Sequence, residues 1–330
     1  MKGASTMKKI CILLALVLAL ASLGIPALAE EPVLKIGYLC QTQDYEFHNN
    51  ALQGTIDACA EQGIELLYQV VGTDPTLIRT VFDSFVTQGI NVLINFSCAT
   101  EANQTIAKLC EQKGIIHLCV DTDVVDYGAT TYFFGLNNGA AGDLMGENSV
   151  EWLKANLDQE IAHVIHINGS GLGEVVLERT GNAVKYLCEN MGVPEDKCYF
   201  LDITDYDLAN IKQKVQDYLT LCSDYDNIII YCLSSSWTPA VEAAVTAAGL
   251  NDKVYYFSVD GVAATIETLK NAANGTETIL KGEVATYPEF YGSTLIEDAK
   301  KILAGEDVDR YLYSVNGWMT KDNIYELYPD

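Results

Sequence analysis

Short, almost purely apolar runs alternate with segments of helical periodicity over nearly the whole chain. The runs at 91–95 and 115–120 do not alternate polar and apolar residues, which is typical of strands buried on both faces of a parallel sheet. Gly63, Gly89 and Gly114 each stand between a helical segment and the next strand, where a left-handed helix C-cap is favoured. The pattern therefore predicts an α/β fold with helices on both faces of parallel sheets.

This strand–helix repeat occurs twice, with a break near residue 136. In the first half we predict strands at 33–39, 64–70, 91–95, 115–120 and 131–135, and helices at 49–62, 76–87 and 101–113. In the second half we predict strands at 162–167, 198–202, 227–232, 254–259, 278–286 and 310–315, and helices at 174–191, 208–221, 239–248, 263–272 and 289–303. Two such runs predict two doubly wound parallel-sheet lobes, and the short crossings between them favour hinge motion.

The N-terminus has the layout of a secretory signal peptide. Lys8 and Lys9 precede an apolar run over 10–20, and small residues lead up to Ala29, after which we predict cleavage. The run is short for a membrane span, and an uncleaved anchor is the alternative. Cys11 lies too early to be a lipid-modified cysteine. We therefore expect export to the periplasm or the cell surface as a released protein.

The chain is strongly acidic. It has 20 Lys and Arg against 45 Asp and Glu, a net charge of −25, and removal of a segment 1–29 with three lysines and no acid leaves −28. Such a surface repels nucleic acid and anionic lipid, so neither is an expected partner. The acidity itself is typical of a solvated surface.

Nine of the ten cysteines lie beyond the predicted signal peptide, so at least one has no partner within the chain. They form no CxxC pairs, and a zinc site is unsupported. Most fall in apolar segments, where cysteine behaves as a small hydrophobic residue. Cys188 and Cys198, on either side of a helix-to-strand turn, are the first pair to test for a disulfide.

Polar and aromatic side chains follow the predicted strands, at the edge where open parallel sheets bind ligands. The candidate ligand-binding residues at these strand ends are Asp44, Tyr45, Phe47, Asp121, Tyr206, Ser234, Trp237, Asp260 and Thr286. The strand ends hold no Lys or Arg. Arg179, in the helix that follows the glycines at 169–173, is the nearest basic residue that could meet an anionic ligand, and we interpret it instead as a surface helix residue. Aromatic rings stack on sugar faces and carboxylates accept hydrogen bonds from hydroxyls, so the set predicts a neutral polyhydroxylated ligand.

These residues also have structural interpretations. The alternatives are a hydrophobic staple for Tyr45 and Phe47, helix capping for Asp121 and Asp260, the core for Trp237 and the surface for Tyr206.

Motifs for other chemistry are weak. The stretch 168–173 follows a strand and opens a helix, but its third glycine is one residue too early for a dinucleotide loop. His163 and His166 face opposite sides of a strand and cannot share a metal. No nucleophile–histidine grouping is supported. We therefore expect a binding protein rather than an enzyme, with no cofactor and no metal.

Several segments together, in their order and spacing, resemble the ribose- and galactose-type periplasmic binding proteins of sugar ABC transporters, which have the type I fold. These segments are 36–38, 45–47, 89–95, 114–121, 137–142, 205–207, 259–261 and 281–288. The resemblance implies stacking by Tyr45, Phe47 and Tyr206, sugar-hydroxyl contacts by Asp121 and Asp260, and polar contacts by Asn138, Ser234 and Thr286.

The resemblance also implies discontinuous lobes joined by a three-segment hinge. The N-terminal lobe would comprise 33–136 and 287–308, and the C-terminal lobe 137–286 and 309–330. A small polar ligand, a sugar above all, would be trapped by closure of a monomer and delivered to ABC permease subunits, the only link to the membrane. A sensory protein that acts on a membrane kinase or chemoreceptor, and a binder of nucleosides or other ligands, are the alternatives. Thr122 and Leu177 stand where ribose binders have arginine, which disfavours ribose itself.

Overall fold

The structure, a computed structural model, describes residues 33–329 apart from 123, 125–127, 173 and 206. The predicted signal peptide and Tyr206 therefore lie outside the described residues. The strands are β1 (Lys35–Cys40), β2 (Glu65–Val70), β3 (Val92–Phe96), β4 (Ile116–Val120), β5 (Thr131–Gly135), β6 (His163–Asn168), β7 (Cys198–Asp202), β8 (Ile228–Cys232), β9 (Val254–Asp260), β10 (Leu280–Ala285), β11 (Tyr311–Tyr313) and β12 (Gly317–Met319). The helices are α1 (Glu46–Gln62), α2 (Pro75–Thr87), α3 (Thr100–Lys113), α4 (Asn138–Asn156), α5 (Glu174–Met191), α6 (Leu208–Leu219), α7 (Thr238–Ala248), α8 (Ala263–Ala273), α9 (Tyr291–Leu303) and α10 (Ile324–Leu327).

These strands form two six-stranded sheets, in the orders β11-β5-β4-β3-β1-β2 and β12-β10-β9-β8-β6-β7. The first sheet is parallel throughout, and in the second only β12 runs antiparallel to its neighbour. The chain winds outward in both directions from one strand of each sheet, β1 in the first and β6 in the second. The topological switch point of each sheet therefore lies beside that strand. The prediction of two doubly wound lobes is confirmed.

The chain crosses between the sheets after β5, after β10 and between β11 and β12. Because β11 pairs with β5 in the first sheet, residues 309–313 belong to the first lobe. The third crossing therefore lies at 314–316, not at the predicted boundary after residue 308. The aromatic side chains of β11 explain the shift, since Tyr311 and Tyr313 pack their rings against Phe133 of β5.

Helix α4 was not predicted, because its glycines weaken the helical pattern. The small residues instead allow α4 to pack closely against α5. A Cβ at Gly142 would lie 2.3 Å from the carbonyl oxygen of Glu178, and one at Gly146 would lie 2.7 Å from Cβ of Tyr186. Close packing of the two helices compensates for the low helix propensity of glycine.

Each sheet carries a hydrophobic core on both faces. In the first lobe α1 and α9 cover one face and α2 and α3 the other. In the second lobe α4 and α5 cover one face, and α6, α7 and α8 the other. The buried strands β3, β4 and β8 lie in the middle of this layering, which is why their sequences are continuous apolar runs. The rigid layers hold the carboxyl ends of the strands in fixed positions.

Among the described residues, none of the helices is apolar over enough length to span a bilayer.

Candidate functional site

A cavity of about 400 Å³ lies between the lobes at the carboxyl ends of the strands. Its lining comes from the first lobe (Asp44, Tyr45, Glu46, Phe47, His48, Asp121, Phe133 and Leu136) and from the second (Asn138, Val176, Arg179, Ser234, Ser236 and Asp260). A concavity of about 440 Å³ between α1 and residues 289–293 is confined to the first lobe. Unlike this concavity, the cavity between the lobes combines strand ends from both sheets, which makes it the candidate site.

Asp121 extends from the end of β4 into this cavity. Its backbone is left-handed (φ 52°), and its N–H donates to the carbonyl of Phe134 at 2.8 Å. A Cβ at residue 135 would lie 2.3 Å from Asp121 Oδ1, so glycine at the end of β5 leaves room for the Asp121 carboxylate in its observed position. The side chain stays open to water in the cleft, but the surrounding protein displaces bulk solvent and raises its pKa to about 6. The charge of Arg179 and the backbone N–H of Leu136 limit this rise.

Asp260 occupies the matching position at the end of β9. Its φ of 120° is rare for a residue with a side chain. The Ser234 hydroxyl donates to Asp260 Oδ2 at 2.5 Å, and Thr286 donates through both N–H and hydroxyl to the Asp260 carbonyl at 3.1 and 2.9 Å. Burial raises the pKa of Asp260, while Arg179 and the Ser234 hydroxyl oppose the rise.

Arg179 lies beside both carboxylates, which corrects the prediction of a site without a basic residue. Its Nε donates to Asn138 Oδ1 at 2.5 Å, and one terminal nitrogen lies 3.5 Å from Asp260 Oδ1. Only 19% of its side chain and 13% of that of Asp260 are exposed. The guanidinium is therefore fixed in the cavity by residues of its own lobe, and is not on the surface as we predicted.

Aromatic residues of the first lobe form one wall of the cavity. Phe47 packs edge-on against Phe96 and Tyr291, at centroid distances of 6.2 and 5.6 Å. His48 stacks on Phe96 at 4.3 Å, and burial lowers its pKa to about 4, so it is neutral at physiological pH. Tyr45 is 66% exposed at the rim. The wall is rigid at its base and accessible at its edge.

A direct hydrogen bond joins the two lobes at the edge of the cavity. Glu46 Oε1, at the start of α1, accepts from the backbone N–H of Ala263 at 2.7 Å. Ala263 is the first residue of α8, whose own N-cap residue Val262 provides no side-chain cap. A first-lobe carboxylate therefore caps a second-lobe helix, where negative charge is favoured.

The structure brings together seven of the ten predicted ligand-binding residues: Asp44, Tyr45, Phe47, Asp121, Asn138, Ser234 and Asp260. Trp237 is buried in the second-lobe core instead, because the turn at 235–237 directs it inward. Thr286 is 1% exposed and supports the Asp260 backbone from behind. Besides Arg179, the cavity lining includes Phe133, in the middle of β5, and His48, in the first turn of α1, neither of which was among the predicted ligand-binding residues.

Cysteine and metal predictions concern other parts of the molecule. Cys188 and Cys198 are free thiols whose sulfurs lie 3.5 Å apart. No cluster of three or more His, Cys, Asp or Glu suited to a metal ion occurs within the described part of the chain.

A family model described as a periplasmic binding protein domain matches residues 36–307. No curated protein matches the chain. Among solved structures, an ABC transporter solute-binding protein from Mycobacterium smegmatis with bound glycerol is 22% identical, with a TM-score of 0.71 over 91% of this chain and 98% of that one. A solute-binding protein from Actinobacillus succinogenes with bound D-allose is 18% identical (TM-score 0.72; 89% and 99% covered). A periplasmic ribose ABC transporter protein from Conexibacter woesei is 16% identical (TM-score 0.74; 90% and 95% covered). These structures share the fold of this chain.

Proposed function

Because the chain belongs to the periplasmic binding protein family, we propose that it captures a small neutral sugar or polyol outside the cytoplasm and delivers it to an ABC importer. The observation that carries the proposal is the meeting of Asp121 of one lobe with Asp260 and Arg179 of the other in a single cavity. Members of this family bind solutes rather than transform them, so the chain is a binding protein and not an enzyme.

The charges of the cavity favour an uncharged ligand. Asp121 and Asp260 together outweigh Arg179, whose guanidinium is already engaged with Asn138 and Asp260. An anionic ligand would meet a net negative site, whereas the hydroxyls of a sugar can donate to both carboxylates and accept from the guanidinium. The site therefore suits a polyol better than a phosphate or a carboxylic acid.

The aromatic wall complements these polar groups. Phe47, whose ring is held edge-on by Phe96 and Tyr291, and the exposed Tyr45 offer apolar surface to the C–H face of a sugar ring. The first lobe thus supplies stacking together with the Asp121 carboxylate, and the second supplies the polar groups of Asn138, Arg179, Ser234 and Asp260. Binding to either lobe alone would use only part of the site.

This division explains how binding can drive closure. A ligand that contacts Asp121 and Asp260 simultaneously has more contacts in the closed state, and its differential affinity shifts the equilibrium towards that state. The three chain crossings between the sheets allow the lobes to rotate as units. The closed form would be the one that docks on the permease.

The ligands of structurally similar proteins support the class of ligand. Glycerol and D-allose are bound in two of them, and a third belongs to a ribose transporter. Thr122 and Leu177 stand where we expect the arginines of ribose binders, so a hexose or a polyol is favoured over ribose.

A thermal-shift screen tests this proposal. The purified protein is heated with D-ribose, D-allose, D-galactose, D-arabinose, myo-inositol, glycerol, and a nucleoside and an amino acid as other classes. A ligand at 100 times its Kd adds about 2.7 kcal/mol to the free energy of unfolding, a shift of roughly 5–10 °C for lobes of this size. A shift confined to the nucleoside or amino acid, or no shift at all, would contradict the sugar proposal.

A further inference from the structure

Glu283 is a carboxylic acid buried directly behind Asp260. It lies in the middle of β10, its residue is 0% exposed, and it does not line the cavity. Glutamate is rarely buried to this extent unless it is paired or has a specific hydrogen-bonding role. The nearby guanidinium of Arg179 is engaged with Asn138, the Leu233 carbonyl and Asp260. The role of Glu283 is therefore inferred from the hydrogen bonds that its own carboxyl group accepts.

The acceptor is Glu283 Oε1, which links three other segments. It accepts from the backbone N–H of Gly261 and from the Thr265 hydroxyl, the latter at 3.2 Å, and the Ser235 hydroxyl also donates to the carboxyl group. Gly261 follows Asp260 directly, Thr265 lies in the first turn of α8, and Ser235 lies in the turn after β8. Both Thr265 and Ser235 are 0% exposed. The carboxyl group is thus the centre of a buried polar cluster beneath the floor of the site.

The backbone above this cluster has an unusual conformation. Asp260 has a φ of 120° and Gly261 a φ of 83°, two successive residues in the region that side chains disfavour. Such a conformation persists only when surrounding contacts enforce it. Thr286 holds the carbonyl of Asp260, and Ser235 and Glu283 hold the next N–H along the chain. The peptide unit between Asp260 and Gly261 is therefore fixed at both ends.

We propose that Glu283 is the positioning residue of the site: through Oε1 and the Gly261 N–H it holds the Asp260 backbone so that the Asp260 carboxylate faces the ligand. This inference rests on the proposed function for the identity of the ligand, but the contact between Glu283 and Gly261 can be tested without any ligand. Glu283 does not itself line the cavity. Its replacement would therefore change ligand affinity through the position of Asp260.

Protonation of Glu283 provides a direct readout of the contact. Burial is the main cause that raises its pKa to about 7, and the charge of Asp260 raises the pKa further. Hydrogen bonds from Ser235, Thr265 and Gly261 act in the opposite direction. The other titratable groups whose charge interacts with Glu283 are Cys232, Tyr256 and Tyr328. Burial raises the pKa of each of these three, so they stay neutral near pH 7. Asp260, which directly precedes Gly261 and whose pKa burial also raises, is a second group that the Gly261 amide senses, and comparison of the wild type with Glu283→Gln isolates the step that belongs to Glu283.

The experiment compares the wild type with Glu283→Gln and Glu283→Ala. Gln keeps an oxygen for the Gly261 N–H, and Ala removes it. Affinity for whichever of D-allose, D-galactose, D-arabinose, D-ribose or myo-inositol binds tightest is measured by calorimetry at pH 6. Glu242→Ala, which removes a partly buried carboxyl of the same lobe that contacts Thr278 and does not line the cavity, is the matched control. The Gly261 amide resonance is followed by NMR from pH 5 to 9, with the Gly249 amide, which donates to a backbone carbonyl, as reference.

We expect Glu283→Gln to bind within about threefold of the wild type and Glu283→Ala at least about tenfold more weakly, since only Ala removes the carboxyl-type acceptor and leaves the Gly261 N–H with the longer 3.2 Å bond to Ser235 Oγ alone. The Gly261 amide shift should show a titration step near pH 7 in the wild type that is lost in Glu283→Gln. Wild-type affinity in Glu283→Ala would overturn the proposal. If Glu283→Ala fails to fold, an identical Gly261 titration in the wild type and Glu283→Gln would overturn it instead. If no sugar binds the wild type, the proposed function fails, and the Gly261 titration alone decides the role of Glu283.

Discussion

Glu46 of the first lobe caps the second-lobe helix α8 through its 2.7 Å hydrogen bond to the N–H of Ala263. The two residues are 217 positions apart in the sequence. Because both groups belong to the chain itself, we expect the contact to favour the closed arrangement of the lobes with or without ligand. We therefore expect its strength to set part of the equilibrium between open and closed lobes.

We predict that Glu46→Ala opens the unliganded protein. Loss of a helix N-cap costs about 0.5–2 kcal/mol, so the closed population and the apparent affinity should fall by roughly two- to thirtyfold. Small-angle scattering should show a larger radius of gyration without ligand and the same radius at saturation. Glu61→Ala, at the exposed far end of the same helix, is the control. An unchanged radius and affinity in Glu46→Ala would show that the contact does not affect closure.

Ligand affinity should fall below about pH 6. The pKa of Asp121 is raised to about 6, so acidification protonates the carboxylate that we expect to accept sugar hydroxyls. The loss of affinity should be smaller than the shift in the pKa of Asp121 alone suggests, because the side chain remains open to water in the cleft. Calorimetric titrations between pH 5 and 8 check this, and Asp121→Asn should lose most of the dependence. A wild-type affinity that is constant across this range would contradict the role of Asp121.

Stability should show a separate dependence on Glu283. Its folded-state pKa of about 7 lies above the ordinary value of 4.5, so the unfolded chain releases the proton first as pH rises. Between these two values the wild type loses about 1.4 kcal/mol per pH unit relative to Glu283→Gln. The difference in melting temperature between Glu283→Gln and the wild type should therefore grow from pH 5 to 7 and then level off. A difference that does not change with pH would show that Glu283 is ionised throughout.

Cys188 and Cys198 should form a disulfide on mild oxidation. Their sulfurs are 3.5 Å apart, so the bond can form with little backbone movement. Both residues are only partly buried, so diamide can reach the thiols. Closure of this short loop should add about 2–4 kcal/mol to the free energy of unfolding. Mass spectrometry of peptides without reduction should show the cross-link and the loss of two hydrogens, and Cys188→Ser is the control. Only intermolecular cross-links, or none, would contradict this prediction.

The contact between α4 and α5 should not tolerate a larger residue at Gly146. A Cβ there would lie 2.7 Å from Tyr186 Cβ and 3.1 Å from Ala183 Cα, so Gly146→Ala should destabilise the protein by about 1–3 kcal/mol. Gly181→Ala, on the facing helix with nothing within 4 Å of its Cβ, should stabilise by about 0.5–1 kcal/mol. Chemical denaturation measures both. Equal effects of the two substitutions would contradict the packing argument.

The sequence predicts the fold well because continuous apolar strands and glycines at the C-terminal ends of helices are local signals. Gly63 and Gly114 are left-handed C-caps with φ of 65°, as predicted. The prediction failed at α4, where packing against another helix outweighs the low propensity of its glycines. The third crossing was misplaced because pairing of β11 with β5 depends on residues 178 positions apart.

The site was predicted only in part, because contacts between residues distant in the sequence place some of its side chains. Asp121 and Asp260 directly follow buried strands, so their place at the sheet edge could be inferred. Arg179 lies within a helix, and contacts with residues distant in the sequence, such as Asn138 41 positions away and Asp260, hold it in the cavity. Trp237 follows a strand as closely as Ser234 does, but the turn after Ser234 directs its ring into the core. Local sequence does not determine the direction of a side chain in such a turn.

The most direct test of the account is a calorimetric titration of the tightest-binding sugar from the thermal-shift screen into the wild type, Asp121→Asn, Asp260→Asn and Asp252→Asn. Asp252 precedes β9, whose other end carries Asp260, and is the control. Loss of one charge-assisted hydrogen bond costs about 1.5–3 kcal/mol, so we predict that Asp121→Asn and Asp260→Asn each bind about 10- to 150-fold more weakly, with Asp252→Asn unchanged. Wild-type affinity in both Asp121→Asn and Asp260→Asn would contradict the claim that the ligand bridges the two lobes through these carboxylates.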